Sequence, residues 1–263
     1  MHPHPFVAAV LAAFTFTVQA QSKGSVATLP DAVAIDQARA EAGGVAHGDA
    51  PGFPVTLSQP GTYRLTGNLH VADANTHAIE ITADRVTLDL NGYSITGPVT
   101  CGGSNPAALL CTPSTGNGMG VYAWNRIQTS VANGAISGFH TGVYGGYSAE
   151  IRNLRIRNMR STGILGSTGS AITDNVVFDV AGAALAGDGL LRGNSVYSAH
   201  TGISVMSSGS LIEGNRIART FYGVNSAATP GAAVVGNTLQ MVTNPLLGTV
   251  ALGANLCNAQ LCQ

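Results

Sequence analysis

An asparagine that returns at a nearly constant interval limits what this chain can fold into more than any other feature. Asn68, Asn91, Asn133, Asn153, Asn175, Asn194, Asn215 and Asn237 stand at intervals of 23, 42, 20, 22, 19, 21 and 22, the 42 being two periods. A second marker keeps step with it: a small or polar residue, then Gly, then usually a β-branched residue, as in Gly142-Val143, Gly163-Ile164, Gly182-Ala183, Gly202-Ile203 and Gly223-Val224. Self-similarity at a fixed period is the mark of a stacked repeat, because a single repeat cannot bury its own apolar face. Stretches such as VTLDLNGYSI (86 to 95), IRNLRIRN (151 to 158), ITDNVVFDV (172 to 180) and LIEGNRIA (211 to 218) alternate with the period of two that strands require. No period has room for a helix beside its strands, so helical solenoids are excluded. What remains is a coil of two or three short strands per turn, in which Asn lies over Asn and can donate amide to amide along the stack.

Composition narrows the partners. Of 263 residues only 10% are charged, 12 basic against 13 acidic, while 45% are hydrophobic and 34 are Gly. Disorder needs low hydrophobicity and high net charge, so it is excluded. A net charge of -1 gives none of the electrostatic footprint that duplex nucleic acid or an anionic membrane surface demands.

At the N-terminus, residues 6 to 18 form an apolar run of 13, too short for the ~20 residues of a membrane-spanning helix. With Val18 and Ala20 as the small residues of a cleavage site, residues 1–20 read as a signal peptide, although the MHPHP opening lacks Lys and Arg. Localisation is therefore expected to be secreted or periplasmic, with no transmembrane segment after cleavage. The four cysteines fall into two local pairs, Cys101 with Cys111 and Cys257 with Cys262, and disulfides between them suit export. A zinc site would show C-x₂-C spacing with nearby His, which is absent.

The segments FPVTLSQPGTYRLTGNLHV (53 to 71) and AIEITADRVTLDLNGYSITG (78 to 97), with the closing GANLCNAQLC, resemble secreted bacterial right-handed parallel β-helix repeat proteins, relatives in fold of the pectate lyases. The resemblance covers about residues 30 to 262. It implies an all-β, right-handed parallel β-helix solenoid and supplies no shared catalytic motif. The expected organisation is a 21–52 segment with a short capping helix over 31–42, eight or nine coils over 53–247, and a C-terminal cap over 248–263. Residues 98–117 break the pattern as a loop excursion, either an edge guard or one wall of a groove.

Catalysis on this fold acts mostly on acidic polysaccharides, and each chemistry sets a requirement. Glycoside hydrolysis needs two carboxylates ~5–9.5 Å apart. Asp174 and Asp179 share a coil but lie up to ~16 Å apart along an extended strand. A lyase or epimerase needs one base and a cation to neutralise the uronate carboxylate, either Ca²⁺ or Arg. The column before the Asn ladder reads Arg152, Asp174, Arg192 and Glu213, the alternating signs of a surface ion-pair ladder rather than a calcium site. No metal and no cofactor are expected. Aligning coils on the Gly marker puts His140, Ser161, Val180, His200 and Phe221 in one column and Phe139, Arg160, Asp179, Ala199 and Thr220 in the next.

Catalytic candidates are then Arg157, Arg160, Asp179, His140 and Tyr197, and candidate substrate contacts are Arg155, Arg219, His200, Tyr222, Trp124 and Tyr122. Arg forks suit carboxylates and aromatic rings suit pyranose faces. His140 and His200, three coils apart, are too distant to share a metal. His70 and His77 read as surface residues, and Asp89 as a turn acceptor beside Asn91. The function expected is binding, and cleavage or epimerisation if the chain is an enzyme at all, of acidic, uronate-containing polysaccharide or cell-envelope glycan. The alternative is a non-catalytic structural or interaction solenoid.

Overall fold

A β-branched or other bulky aliphatic residue at every second position gives strands a face that must be covered, and this chain covers it by winding. The computed structural model describes residues 32–105 and 108–262. Their strands form a parallel β-solenoid of about 10 turns at ~21-residue spacing, 58% strand and 3% helix. The signal peptide and cleavage site expected over residues 1–20 lie outside the described residues.

Each turn contributes to three sheets. Sheet one stacks Val33–Ile35, Gly61–Leu65, Val86–Asp89, the openings of Ser130–Tyr144 and Glu150–Leu165, then Ser170–Thr173, Gly189–Arg192, Leu211–Glu213, Ala232–Val235 and Thr249–Ala251. Sheet two stacks Leu69–His70, Ser94–Thr96, the middle of the two long strands, the openings of Val176–Ala186, Ser195–Val205, Arg216–Ser226 and Thr238–Leu247, and Asn255–Cys257. Sheet three stacks Val55–Leu57, Ile79–Ile81 and Met119–Tyr122 with the closing residues of the long strands.

Three inward columns meet on one axis. Sheet one sends in Leu88, Val131, Ile151, Ile172, Leu191 and Ile212; sheet two Ile95, Ile136, Ile156, Val177, Val196 and Ile217; sheet three Ile79, Val121, Val143, Ile164, Leu185 and Ile203, all buried. β-Branched side chains have few rotamers to lose and pack well on a pleated surface, so a column of them is well suited to such a core.

The asparagine marker separates into two columns. Asn175, Asn194, Asn215, Asn237 and Asn255 point inward and are essentially fully buried. Each Nδ2 donates to the Oδ1 of the next, at 3.0, 3.0, 3.0 and 2.9 Å, and each of the first four also donates to a carbonyl of the preceding turn, Ile151, Ile172, Leu191 and Ile212 respectively. The backbone N–H of Asn175, Asn194, Asn215 and Asn237 is satisfied by the same following Oδ1. In the earlier turns the inward position is held by Gly134 and Leu154, and Asn133 and Asn153 stand one residue before it, exposed, with φ of 65 and 54°. Their column continues as Asp174, Gly193, Gly214 and Gly236, all with positive φ, which Gly adopts freely and Asn and Asp tolerate best among other residues. The step from Asn153 to Asn175 hides the change, because it is only one position longer than the turn itself, which runs from Leu154 to Asn175.

Other boundaries also differ from expectation. Val33–Ile35 is a strand paired with Tyr63–Leu65, and the helix is Gln37–Ala42, capped by Asp36, whose Oδ1 accepts the Arg39 N–H at 2.9 Å. The helix covers the open end of the core with Ala40, while the Gln37 amide occupies the backbone N–H and C=O of His70 on the edge of sheet two. Strand thus extends N-terminal of Phe53 and, through Thr249–Ala251 and Asn255–Cys257, beyond Leu247. The column expected to be an ion-pair ladder reads Arg152, Thr173, Arg192, Glu213, with Asp174 in the corner instead. Among the described residues the ion pairs are Arg64–Asp89 and Arg152–Glu150. Asp89 also accepts from Asn91 N and Asn133 Nδ2, a turn role.

The two asparagine columns should respond differently to substitution. Asn215→Ala strands buried donors and acceptors on both sides and is expected to cost about 2–4 kcal/mol, whereas Asn153→Gly keeps the left-handed corner and should change stability by less than about 1 kcal/mol. Urea unfolding midpoints of the two variants, read by circular dichroism, check the contrast.

Candidate functional site

The corner between sheets two and three decides where the candidate residues point. It is built on a second left-handed column: Gly138, Asn158, Asp179, Ser198, Arg219 and Met241, with φ between 52 and 84°. After it comes a buried inward residue in each turn, Phe139, Met159, Val180, Ala199, Thr220 and Val242. The strands then bulge unequally. One residue, His140, opposes two, Arg160 and Ser161, and two more, Ala181 and Gly182, oppose His200. Alignment on the Gly marker is therefore one residue out ahead of the bulge in the turn containing Gly163, where Met159 and not Arg160 follows Phe139 in the inward column, and wrong for the turn containing Gly182, where Ala184 holds the small inward position; Val180 is core and Asp179 lies in the corner beside neither His140 nor Arg160 in register. Asp174 and Asp179 stand at opposite corners of sheet two and form no carboxylate pair on one face.

The candidates separate into three groups. On the outward face of sheet two, Arg155 heads the column Val176, Ser195, Arg216, and Arg157 heads the column Phe178, Tyr197, Ala218, Gln240. The Arg157 guanidinium lies 5.9 Å over the Phe178 ring and that of Arg219 5.4 Å over the Tyr197 ring, with Arg219 Nη1 donating to the Tyr197 hydroxyl at 3.1 Å. A groove of about 380 Å³ opens beside the two rings, lined by Phe178, Tyr197, Arg216, Gln240 and Met241 among others. Arg155, Arg157, Arg216 and Arg219 have no carboxylate partner among the described residues.

The second group lies under the 98–117 excursion. Its strands Thr100–Gly102 and Leu110–Thr112 pair antiparallel, clasped by Cys101–Cys111; the Cys257–Cys262 pair closes the terminal hairpin. The excursion straps the corner. Cys101 N–H donates to Asn158 Oδ1 at 3.4 Å, Arg160 Nη1 to Ser114 O at 2.9 Å, and Arg219 Nη2 to Ser104 O at 3.3 Å. Arg160 is thereby pinned, its Nε and Nη2 buried without an acceptor. Burial, with the neighbouring Arg160 charge, holds His140 below the ordinary imidazole value. Farther along, His200 stacks on Phe221 at 5.6 Å and meets Tyr222 edge-on at 5.6 Å.

The third group is aromatic and lies on sheet three. Tyr122 stacks on His77 at 4.6 Å and meets Tyr144 at 6.0 Å, and Trp124 meets Tyr144 edge-on at 5.4 Å. His77 is half-buried rather than a free surface residue: its Nδ1 accepts the Met119 N–H, and burial lowers its pKa against the opposing pull of Glu80. Burial raises the Tyr144 pKa. Tyr122 and Trp124 thus belong to a different face from Arg155 and Arg157. Phe178, Arg216, Tyr144 and Tyr147 escape the sequence reading; the near-period steps Arg157, Phe178, Tyr197 carry the signal, once bulges are counted.

Among the described residues no cluster of three or more His, Cys, Asp or Glu is placed to hold a metal, and no helix is long and apolar enough to cross a membrane. His140 and His77 both have folded pKa values below 6.5, so as pH falls through 6.5 the unfolded chain takes up protons first. Their contribution to stability is full above that pH and is lost below it. The unfolding midpoint is expected to drop between pH 7.5 and 5.5, and His140→Gln to flatten that slope. Comparison with protein-family models, with curated proteins and with solved structures finds no significant match to this chain.

Proposed function

We propose that this chain is an exported solenoid that holds acidic, uronate-containing polysaccharide against the outward face of sheet two. The observation that carries the reading is three arginines on that face, Arg155, Arg157 and Arg216, with Arg219 at the corner beside it, all without carboxylate partners among the described residues and close to the half-exposed rings of Phe178 and Tyr197. Arg155 and Arg216 share a column three steps apart, ~14 Å at the inter-strand spacing. Guanidinium forks at that separation suit carboxylates on a polymer, and the rings between them offer apolar surface to the sugar faces. Two disulfide pairs and the apolar N-terminal run support export. Arg157 and Tyr197, the catalytic candidates on this face, are engaged with the Phe178 ring and the Arg219 guanidinium respectively, so binding without turnover is the form proposed.

A second reading, a solenoid that acts by associating with other proteins or copies, is favoured by the C-terminal end. No Asp, Glu, Lys or Arg follows Arg219, and Leu247, Val250, Leu252, Leu256 and Leu261 are exposed there. Sheet edges are normally guarded by charge. Sedimentation velocity over a concentration series separates the two, with a constant monomer sedimentation coefficient expected if glycan binding is the main role.

Immobilised pectate and alginate are expected to retain the purified chain, with retention falling as salt rises. Arg155→Ala and Arg157→Ala should each weaken it at least tenfold, the loss of one charge-assisted contact of ~1.5–3 kcal/mol, without moving the thermal midpoint. No absorbance rise near ~235 nm, the sign of β-elimination, is expected; wild-type failure to be retained on any uronate polymer overturns the reading.

A further inference from the structure

A large ring left in water is costly, and the corner that follows sheet three keeps two. Trp124 is 57% exposed and Tyr147 43%. Both border a run of three connected depressions. One is lined by Glu80, Tyr122, Trp124 and Arg126; the next by Trp124, Tyr144, Tyr147 and Ser167; the third by Tyr147, Ser167, Asp188, Ser204 and Met206. Trp124 is common to the first pair, and Tyr147 with Ser167 to the second. Glu80, Tyr122, Tyr144, Leu165, Ala186 and Ser204 occupy one outward column on consecutive turns, so the run extends over five steps, ~24 Å.

Trp124 is held, not loose. Tyr144 packs edge-on against both Tyr122 and Trp124, and its hydroxyl bonds to Ser167, while His77 backs Tyr122. Fixed aromatic surface loses little freedom on binding, which is how such residues contribute affinity. The charge here is opposite to that of sheet two. Glu80 and Asp188 border the run, and Arg126 is its one cation among the lining residues, with Nη1 already donating to Thr82 O at 3.0 Å and Nε to Trp124 O at 3.3 Å. Carboxylates repel a uronate chain and accept hydrogen bonds from sugar hydroxyls.

We propose that this run is a second glycan site, separate from the arginine face, that takes a neutral chain of pyranose rings, with Trp124 and Tyr147 under the sugar faces and Glu80 accepting from hydroxyls. The polypeptide then has two glycan surfaces of opposite charge preference. It does not depend on the sheet-two reading.

Trp124 is the single tryptophan of the chain, so tryptophan emission excited to the red of tyrosine absorption reports on this site alone. The full chain is titrated separately with cellohexaose, chitohexaose and hexagalacturonate. A saturable change of emission with at least one neutral hexamer is expected, with none from hexagalacturonate. Tyr147→Ala should weaken the neutral hexamer at least tenfold, Tyr147→Phe should retain it, and Arg157→Ala should leave it unchanged. Absence of any response to both neutral hexamers overturns the proposal, as does a response to hexagalacturonate that Tyr147→Ala abolishes. Retention on uronate polymers, scored on the Arg157 variant, succeeds or fails independently.

Discussion

From the turn of Asn175 onward the structure depends on one kind of contact, the hydrogen bond between a buried asparagine amide and the amide one turn on. In a parallel solenoid the backbone ladders fix spacing but leave register to the side chains, and a slip of one residue turns every core side chain outward. An inward amide that must meet another amide, a backbone N–H and a backbone carbonyl at once can do so in a single register. Asn194 shows this: its side chain accepts from Asn175 N and Nδ2 and donates to Ile172 O and Asn215 Oδ1. Buried polar groups so fully satisfied specify a structure, where half-satisfied ones would undermine it. The corner before the ladder, the aliphatic columns on either side and hence the outward faces are all placed by that register.

The fold was legible because two physically different demands select the same residue. A left-handed corner favours Asn and so does an interior amide stack, and the chain uses the first at Asn133 and Asn153 and the second from Asn175 onward. That coincidence made the repeat visible and concealed its one-residue shift. The faces were less legible. Arg155 and Arg157 fell together because strict alternation held between corners, but Asp179 and His140 were misplaced against their neighbours because bulges of unequal length in successive turns leave no trace in the Gly spacing. The division of aromatic from cationic residues could not be read at all, since it depends on which side of the second corner each residue falls. Val33–Ile35 looked helical because three small apolar residues have no period of their own, and pairing with Tyr63–Leu65, one full turn later, settled the matter.

Winding three sheets from every turn lets residues that are near in sequence face different solvents. Tyr144 and Arg155 lie on successive strands yet belong to separate outward faces, one edged by Glu80 and the other free of acid partners. Between them the disulfide-clasped hairpin lies along the second corner and removes Arg160 from either surface. A fold with one repeated interior can in this way present unlike surfaces, because the repeat constrains only the residues that point inward.

The amides also give each of the two asparagine columns an electrical direction. From Asn175 to Asn237 each Nδ2 donates one N–H to the next Oδ1, toward the C-terminal end, and the other back to a carbonyl, so the amide groups align head to tail and polarise one another along four successive bonds. In the outer column the sense is reversed: Asn153 donates back to Asn133, and Asn133 back to Asp89. The two series diverge from the turn that contains Leu154, with oxygens facing the middle and amino groups facing the ends. Their dipoles oppose rather than sum, so a molecule built from one repeated amide has no single pole running through its whole length.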